Sequence, residues 1–276
     1  MRYLILCVLY KTVPSNSSSL CSLAKCAQVG QGSKVTVWDN SPTHAGEAEL
    51  QWLARTFPSV EYRHTPQNVA LSSAYNTVIR EYFCGNRQEL DALVLLDQDS
   101  EFSPDFLDKA TAAAEVYPDV ALFLPLVRAN DRIVSPGILY WFKGTSWKNA
   151  RSGLVRSRFR TAMNSGMIIR SQYLGGQFRG YDQRIRFYGT DDYFCQQYAQ
   201  TQPWLYVMDV EIQHQLALDR DEELEVKLWR HRSNIHAVVL LNEKGLIRRS
   251  ACHLYCFLYC AKSALLHRDI RFLKWF

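Results

Sequence analysis

The sequence contains no run of uncharged residues as long as the roughly 18 that a membrane-spanning helix requires. The amino-terminal stretch MRYLILCVLYKTVPSNSS has one positive charge and a short apolar run, but no small-residue cleavage site follows. We therefore expect a first β-strand there rather than a signal peptide. The chain also shows no internal repeat, low-complexity tract or linker, which argues against repeat arrays and disordered chains.

The eight cysteines include no CxxC pair and follow no regular spacing. Several lie inside apolar segments, where cysteine behaves as a small hydrophobic residue. This pattern is not that of a disulfide framework or a zinc site. We predict a reduced, cytoplasmic protein.

Most of the chain has no excess of positive charge. The formal net charge is +5, yet residues 244–276 contain seven Lys or Arg and a single acid, Asp269, so that the first 243 residues sum to −1. A near-neutral body without a recognised nucleic-acid-binding module argues against a nucleic-acid partner.

Short apolar runs alternate with helical patterns over the first half of the chain. The predicted strands are residues 3–10, 35–38, 93–96, 120–126 and 167–170, and the predicted helices are 18–26, 45–56, 71–83 and 104–116. Continuous apolar runs are typical of strands buried on both faces. The alternation predicts an α/β protein with a mostly parallel, twisted sheet flanked by helices.

Polar side chains follow three of these strands. They form the clusters Tyr10-Lys11-Thr12, Asp39-Asn40-Ser41 and Asp97-Gln98-Asp99. Ligands of such sheets bind beyond the carboxyl ends of the strands. If the strands are parallel, the three clusters lie along one edge and form a candidate site.

The pair of carboxylates in ALVLLDQDSEF, Asp97 and Asp99, has two interpretations. Two adjacent carboxylates repel each other unless a cation or a proton relieves the repulsion. A divalent-metal site at the sheet edge therefore fits, and so does a plain turn, in which Asp and Ser are common.

Four segments in order, VWDNSP, NVALSSAYN, LLDQDS and FYGTDDYFC, resemble the family 2 glycosyltransferases, and LLDQDS is most similar to their rhamnosyltransferase branch. The resemblance implies the GT-A fold, a Rossmann-like α/β domain, over residues 1–243. Residues 1–126 would bind the nucleotide-sugar and residues 127–243 the acceptor, with a basic amphipathic helical tail at 244–276.

The same resemblance assigns donor-binding residues. Asp99, with Asp97 beside it, would hold the Mg²⁺ or Mn²⁺ that bridges the donor diphosphate, and Asp39 would hold the nucleobase. Thr12 lies on the first loop, and Asn68 opens the segment that ends at Asn76. Ala70 stands where the family has Gly, and helix capping or packing is the alternative for Asn68 and Asn76.

In the second half, the resemblance implies that Asp191 is the base that deprotonates the acceptor, with Asp192 as the fallback. Thr190 replaces the usual Glu, and a helix N-cap is the alternative for this acidic pair. His214, 23 residues beyond Asp191, matches a metal-binding histidine of similar enzymes. The remaining histidines, among them His44, His64 and His236, are interpreted as structural or solvated.

The segment KLWRHRSNIHAVV resembles a family helix that faces the diphosphate. Arg230 and Arg232 would contact the leaving group there, since arginine pairs well with phosphate. The alternative is a solvated basic face that balances the acidic run at 219–225.

The tail is uncharged from Ser250 to Ala261 and basic on both sides. This pattern favours an interfacial helix on anionic lipid. Because the acceptors of similar enzymes are usually lipid-linked, the resemblance implies contact with the cytoplasmic face of the inner membrane. A buried helix or an oligomer contact, including a homo-oligomer, is the alternative.

The resemblance, with the residues that match it, implies an inverting, metal-dependent transferase. It would move a sugar, L-rhamnose from dTDP-rhamnose, to a hydroxyl of a bacterial surface glycan such as lipopolysaccharide, free or lipid-linked. The alternatives are a UDP-hexose donor or an inactive glycan-binding or scaffold protein on the same fold. A haloacid-dehalogenase-type phosphohydrolase is less well supported, because Glu101 stands where that family needs Thr or Val.

Overall fold

The computed structural model describes residues 1–85, 89–130, 132–214 and 223–274. The strands in these ranges are β1 Tyr3–Leu9, β2 Lys34–Asp39, β3 Val60–His64, β4 Ala92–Asp97, β5 Ser100–Phe102, β6 Leu122–Ala129, β7 Arg132–Ser135, β8 Gly137–Tyr140, β9 Lys143–Ser146, β10 Gly153–Arg156, β11 Arg160–Thr161, β12 Met167–Arg170 and β13 Trp204–His214. The α-helices are α1 Ser18–Leu23, α2 Glu47–Thr56, α3 Leu71–Phe83, α4 Phe106–Val116, α5 Ser171–Gly176, α6 Thr190–Thr201, α7 Leu224–Leu241 and α8 Leu246–His267.

One large sheet organises the molecule, in the order β10-β13-β6-β12-β4-β1-β2-β3, with β5 paired to β13 and β7 to β6. The half formed by β3, β2, β1 and β4 is parallel, as the sequence predicts. The other half is mixed, because β12 runs antiparallel between β4 and β6. A small second sheet, β11-β8-β9, precedes β12.

The central strands are buried on both faces. In β1, Tyr3 and Ile5 enter the core shared with α1, α2 and α4, whereas Leu4 and Leu6 enter the core shared with α3, α5 and α6. Successive side chains of a strand point to opposite faces. Two helical layers therefore explain why the strand sequences are continuously apolar.

Every strand and helix predicted from the sequence has a counterpart in the structure within a few residues. Two of the predicted helices start two residues later than expected. Helix α2 begins at Glu47 rather than residue 45, and α4 begins at Phe106 rather than Pro104. Before α4 a turn intervenes, in which the Phe106 N–H donates to the Ser103 carbonyl at 3.1 Å.

The three polar clusters do meet at one edge of the sheet. Leu9, the last residue of β1, is in register with Asp39 of β2, and Val8 is in register with Asp97 of β4. The predicted convergence of these strand ends is confirmed. It follows from the parallel pairing of β2, β1 and β4.

The basic tail forms α8, which lies on α7. Ile235 of α7 is buried together with three side chains of α8, Cys252, Cys256 and Cys260. All eight cysteines of the chain are free thiols. Among the described residues, no helix combines the length and the apolar character needed to cross a bilayer.

Candidate active site

Asp97, the last residue of β4, is fixed by groups from two other elements. Its side-chain Oδ2 accepts a hydrogen bond from the Ser165 hydroxyl, and its carbonyl accepts one from the Ser19 hydroxyl. Ser165 reaches this position because the next residue, Gly166, adopts a left-handed φ of 77° against Ile212. A side chain at Gly166 would overlap Ile212.

Asp99 and His214 lie side by side, although 115 positions separate them in the chain. The antiparallel pairing of β5 with β13 places His214 opposite Ser100. His214 Nδ1 is 3.5 Å from Asp99 Oδ1 and 3.2 Å from the Ser100 hydroxyl. The His214 side chain is almost completely buried, so its orientation is fixed by packing.

This pair fits a divalent ion. Two adjacent ligands of an octahedral ion with bonds of about 2.1 Å are roughly 3 Å apart, close to the separation of Asp99 and His214. In the described part of the chain, no cluster of three or more His, Cys, Asp or Glu side chains is arranged to hold a metal. Mg²⁺ commonly takes only one or two protein ligands and completes its shell with phosphate oxygens and water.

Asp191 lies in the first turn of α6, where the sequence also allows a capping role. The helix starts after Gly189, which has a φ of 83° and packs so closely on α7 that a Cβ would come within 2.8 Å of Ala237. Asp191 is half-buried and accepts the Asp192 N–H at 2.9 Å. Burial, then the charges of Asp192 and Asp97, raise the pKa of Asp191 to about 7. A carboxyl group with this pKa can accept a proton near neutral pH.

The two residues on either side of Asp191 form hydrogen bonds with residues that precede β12 in the chain. Asp192 accepts the Thr161 hydroxyl, and burial raises its pKa. Thr190, which replaces the family's Glu, is buried and accepts the Asn164 amide at 3.1 Å. Asn164 Oδ1 is buried with no hydrogen-bond partner among the described residues. Sequence reasoning did not single out Asn164.

A cavity of about 350 Å³ opens at the ends of β1 and β2, lined by Thr12, Lys11, Asp39 and His44 among others. Asp39 is only 2% exposed. Its carboxylate accepts the Ser41 N–H at 2.8 Å and the Tyr62 hydroxyl at 2.6 Å. Burial and the bond to Asp39 raise the pKa of Tyr62 to about 12. Asp39 is thus a fixed wall of this cavity.

A second, larger cavity of about 660 Å³ lies between the first loop, residues 184–188 and α7. Asn68, with a left-handed φ of 50°, lines it beside Lys11. From α7 come Trp229, Ser233 and His236. His236 is exposed, which agrees with its interpretation as structural or solvated, and it also borders this cavity. The spacing of these three residues, i, i+4 and i+7, is the signal for a shared helix face.

The two candidate arginines of α7 lie in different places. Arg230 Nε donates to the hydroxyl of Tyr188, a residue that lines the larger cavity. Arg232 Nε donates to the Lys274 carbonyl at the end of the tail, 3.2 Å away. Helical residues two positions apart do not share a face, so the structure brings only Arg230 next to the cavity. The acidic run proposed to balance these arginines lies mostly outside the described residues, at 219–222.

Residues 26–185, more than half of the chain, match the family described as glycosyl transferase family 2. The chain belongs to this family. The resemblance noted at four short motifs is thereby confirmed at the level of the family, while assignment to the rhamnosyltransferase branch stays a prediction. No curated protein sequence matches the chain.

Solved structures with the same fold include Staphylococcus aureus TarS 1-349 in complex with UDP, at 13% identity and a TM-score of 0.58, covering 91% of this chain and 68% of that one. A mannosyltransferase, PcManGT from Pyrobaculum calidifontis with GDP-Man and Mn²⁺, has 14% identity and a TM-score of 0.59, covering 89% and 65%. GalNAc-T7 with UDP, GalNAc and Mn²⁺ has 10% identity and a TM-score of 0.59, covering 98% and 58%. At such identities these neighbours establish the fold, and the α/β GT-A fold is confirmed.

Proposed function

We propose that this family 2 glycosyltransferase moves a sugar from a nucleoside diphosphate to a hydroxyl of a bacterial surface glycan, with inversion at the anomeric carbon. The proposal rests on one observation: the carboxylate at the end of β4, that of Asp97, lies close to the carboxylate of Asp191. Asp97 ends the strand that leads to Asp99 and accepts the Ser165 hydroxyl. Asn164, the residue before Ser165, donates to Thr190, the residue before Asp191. A donor-side group and a candidate base therefore share one site.

Asp191 is the proposed base. As the acceptor oxygen attacks the anomeric carbon, its proton passes to the Asp191 carboxylate. The bond from that carbon to the phosphate oxygen breaks on the opposite side, and the nucleoside diphosphate leaves with the electron pair. Asp192 is proposed to position Asp191, because its N–H donates to Asp191 Oδ1 and the Thr161 hydroxyl holds its own side chain. No covalent intermediate with the protein is required.

Asp99 and His214 are the proposed ligands of the divalent ion. When bound, the ion supplies positive charge to the leaving diphosphate. Two of the similar structures, PcManGT and GalNAc-T7, contain Mn²⁺, which supports a divalent ion as the cofactor. Ser165 keeps Asp97 oriented by a hydrogen bond before the donor enters. The Ser100 hydroxyl lies against His214 Nδ1, and this contact would give way when Nδ1 binds the ion.

The cavity walled by Asp39, Thr12 and His44 is proposed to take the nucleobase and ribose, and Asn68 and Arg230 are proposed to approach the diphosphate from the larger cavity. For the donor we propose dTDP-L-rhamnose, on the resemblance of LLDQDS to the rhamnosyltransferase branch. A UDP-hexose is the alternative, and the TarS structures in complex with UDP and UDP-GlcNAc support it.

The test is a thermal-shift panel of dTDP, UDP, GDP and CMP with Mn²⁺, repeated with EDTA, followed by turnover of the matching sugar donors. Ligand binding to the folded state raises its stability. We expect a metal-dependent shift for dTDP and release of dTDP from dTDP-rhamnose. A shift for UDP alone would indicate a UDP-linked sugar as the donor, and the proposed mechanism would stay the same. A folded sample that responds to no nucleotide would overturn the proposal in favour of an inactive binding or scaffold protein.

A further inference from the structure

The outer face of α8 is an exposed apolar stripe. Ile247, Leu254, Leu258 and Leu265 are 81%, 61%, 58% and 81% exposed. Their spacings of 7, 4 and 7 residues place all four on one side of the helix. We call these four residues the outer stripe. A stripe this regular is not a scatter of single surface hydrophobic residues.

The opposite face of α8 already provides its attachment to the body. Cys252, Cys256 and Cys260 are buried against α7, about half a helical turn round from the outer stripe. The outer stripe therefore contributes nothing to the packing of the tail. It is available to a second partner without undocking the helix.

Charge identifies the kind of partner. Between Leu246 and His267 the helix contains Arg248, Arg249 and Lys262 and no acidic residue. Lys262 is exposed on the flank of the outer stripe. Beyond the helix, the acid Asp269 is already paired with Arg271 at 2.8 Å. The partner must accept apolar side chains and supply negative charge beside them.

We propose that the outer stripe docks on the surface of an anionic lipid bilayer, with α8 lying flat in the interface. A helix of 22 residues, roughly 33 Å long, would insert its four large side chains along one line while Lys262 beside them meets lipid headgroups. The long stem of Lys262 lets its charge reach the headgroups from the edge of the stripe. A second copy of the chain fits less well, because two such faces would bring like charges together without an acid between them.

This inference does not depend on sugar transfer, and its test uses the full chain. The protein is sedimented with phosphatidylcholine vesicles and with vesicles in which about one third of the lipid is phosphatidylglycerol. We expect binding to the anionic vesicles only, weakened by salt because exposed charges are screened. The double variant Leu254→Gln/Leu258→Gln should lose about tenfold or more of this binding, since both side chains are exposed and only their insertion is removed.

Val116→Gln is the matched control. Val116 is 68% exposed at the end of α4 and should leave vesicle binding unchanged. Equal binding of the wild type and the double variant, or no binding of the wild type, would overturn the proposal. A dimer seen by light scattering and abolished by the double variant would assign the outer stripe to a second copy instead. Nucleotide-induced thermal shifts should be the same in all variants, which separates this test from that of the enzymatic function.

Discussion

The side-chain amide of Asn76 binds both polar backbone groups of Tyr181. Its Nδ2 donates to the Tyr181 carbonyl at 2.8 Å, and its Oδ1 accepts the Tyr181 N–H at 2.7 Å. The adjacent Gly180 has a φ of 90°, and a Cβ there would lie 2.9 Å from Asn76 Oδ1. Asn76 thus joins α3 to the segment that leads to Asp191. Of the interpretations that the sequence offers for Asn76, packing is the one its contacts support.

Replacing Asn76 by Ala should destabilise the fold by about 2–3 kcal/mol, because two buried backbone groups of Tyr181 lose their partner. Urea unfolding measures the change. Ser73→Ala, in the same helix and partly exposed, should stay within about 0.5 kcal/mol of the wild type. If the two variants were equally stable, the amide would have no clamping role.

The rate of transfer should depend on the ionisation of Asp191. A base must be deprotonated to act, and its pKa is raised to about 7 by burial and neighbouring charges. We therefore expect kcat/KM to rise with pH, with an inflection near 7, and to level off above it. Asp191→Asn should abolish turnover, whereas Glu101→Gln, at an exposed position of β5, should keep both rate and profile. An unchanged profile in Asp191→Asn would exclude it as the base.

The same pKa predicts a cost in stability. Because the folded state binds the proton of Asp191 more tightly than the unfolded state does, ionisation opposes folding, and stability falls as pH rises from about 4 to about 7. Asp191→Asn removes this penalty. Its melting temperature should exceed that of the wild type at pH 8 and approach it below pH 4. The check is a series of melting curves across that range, and a variant less stable at pH 8 would contradict it.

Removal of either proposed metal ligand should weaken binding of the metal–nucleotide complex. We expect His214→Ala and Asp99→Asn each to lower the affinity for Mn²⁺ with nucleoside diphosphate by at least about tenfold in calorimetry. Glu101→Gln is again the control, because Glu101 is in the same strand as Ser100 and pairs with Gln213 of β13. Equal affinities in all three variants would place the metal elsewhere.

Tyr62→Phe should make the position of Asp39 in the smaller cavity less rigid. The variant removes the hydroxyl that donates to the buried carboxylate of Asp39, and hydrogen bonds to charged groups contribute about 1.5–3 kcal/mol. Both the unfolding free energy and the affinity for the nucleoside diphosphate should fall. Tyr82→Phe, which loses a similar bond to the partly exposed Glu61, should lower stability less and leave affinity unchanged.

Sequence reasoning succeeded where local pattern and topology determine position. Continuous apolar runs predicted strands buried on both faces, and parallel pairing then had to bring Asp39 and Asp97 to one edge. The contact of His214 with Asp99 was different. It depends on the antiparallel pairing of β5 with β13, and only the family resemblance pointed to it.

Two features of α7 were within reach of the sequence. A spacing of two residues in a helix separates Arg230 from Arg232, so a common role for them conflicts with helix geometry. Trp229, Ser233 and His236 follow the spacing of one face. What the sequence did not contain was the information that this face borders a cavity, because that depends on the docking of residues 184–188 against the helix.

The three thiols on the inner face of α8 can be oxidised only when the tail leaves α7. Cys252, Cys256 and Cys260 are sealed only while the helix lies on α7. Separation would expose three oxidisable sulfurs at once, and sulfenic acids or mixed disulfides formed on them would be too bulky and polar to return to the contact. In an oxidising medium, oxidation of the exposed thiols would therefore prevent α8 from docking on α7 again, and detachment of the tail would become irreversible.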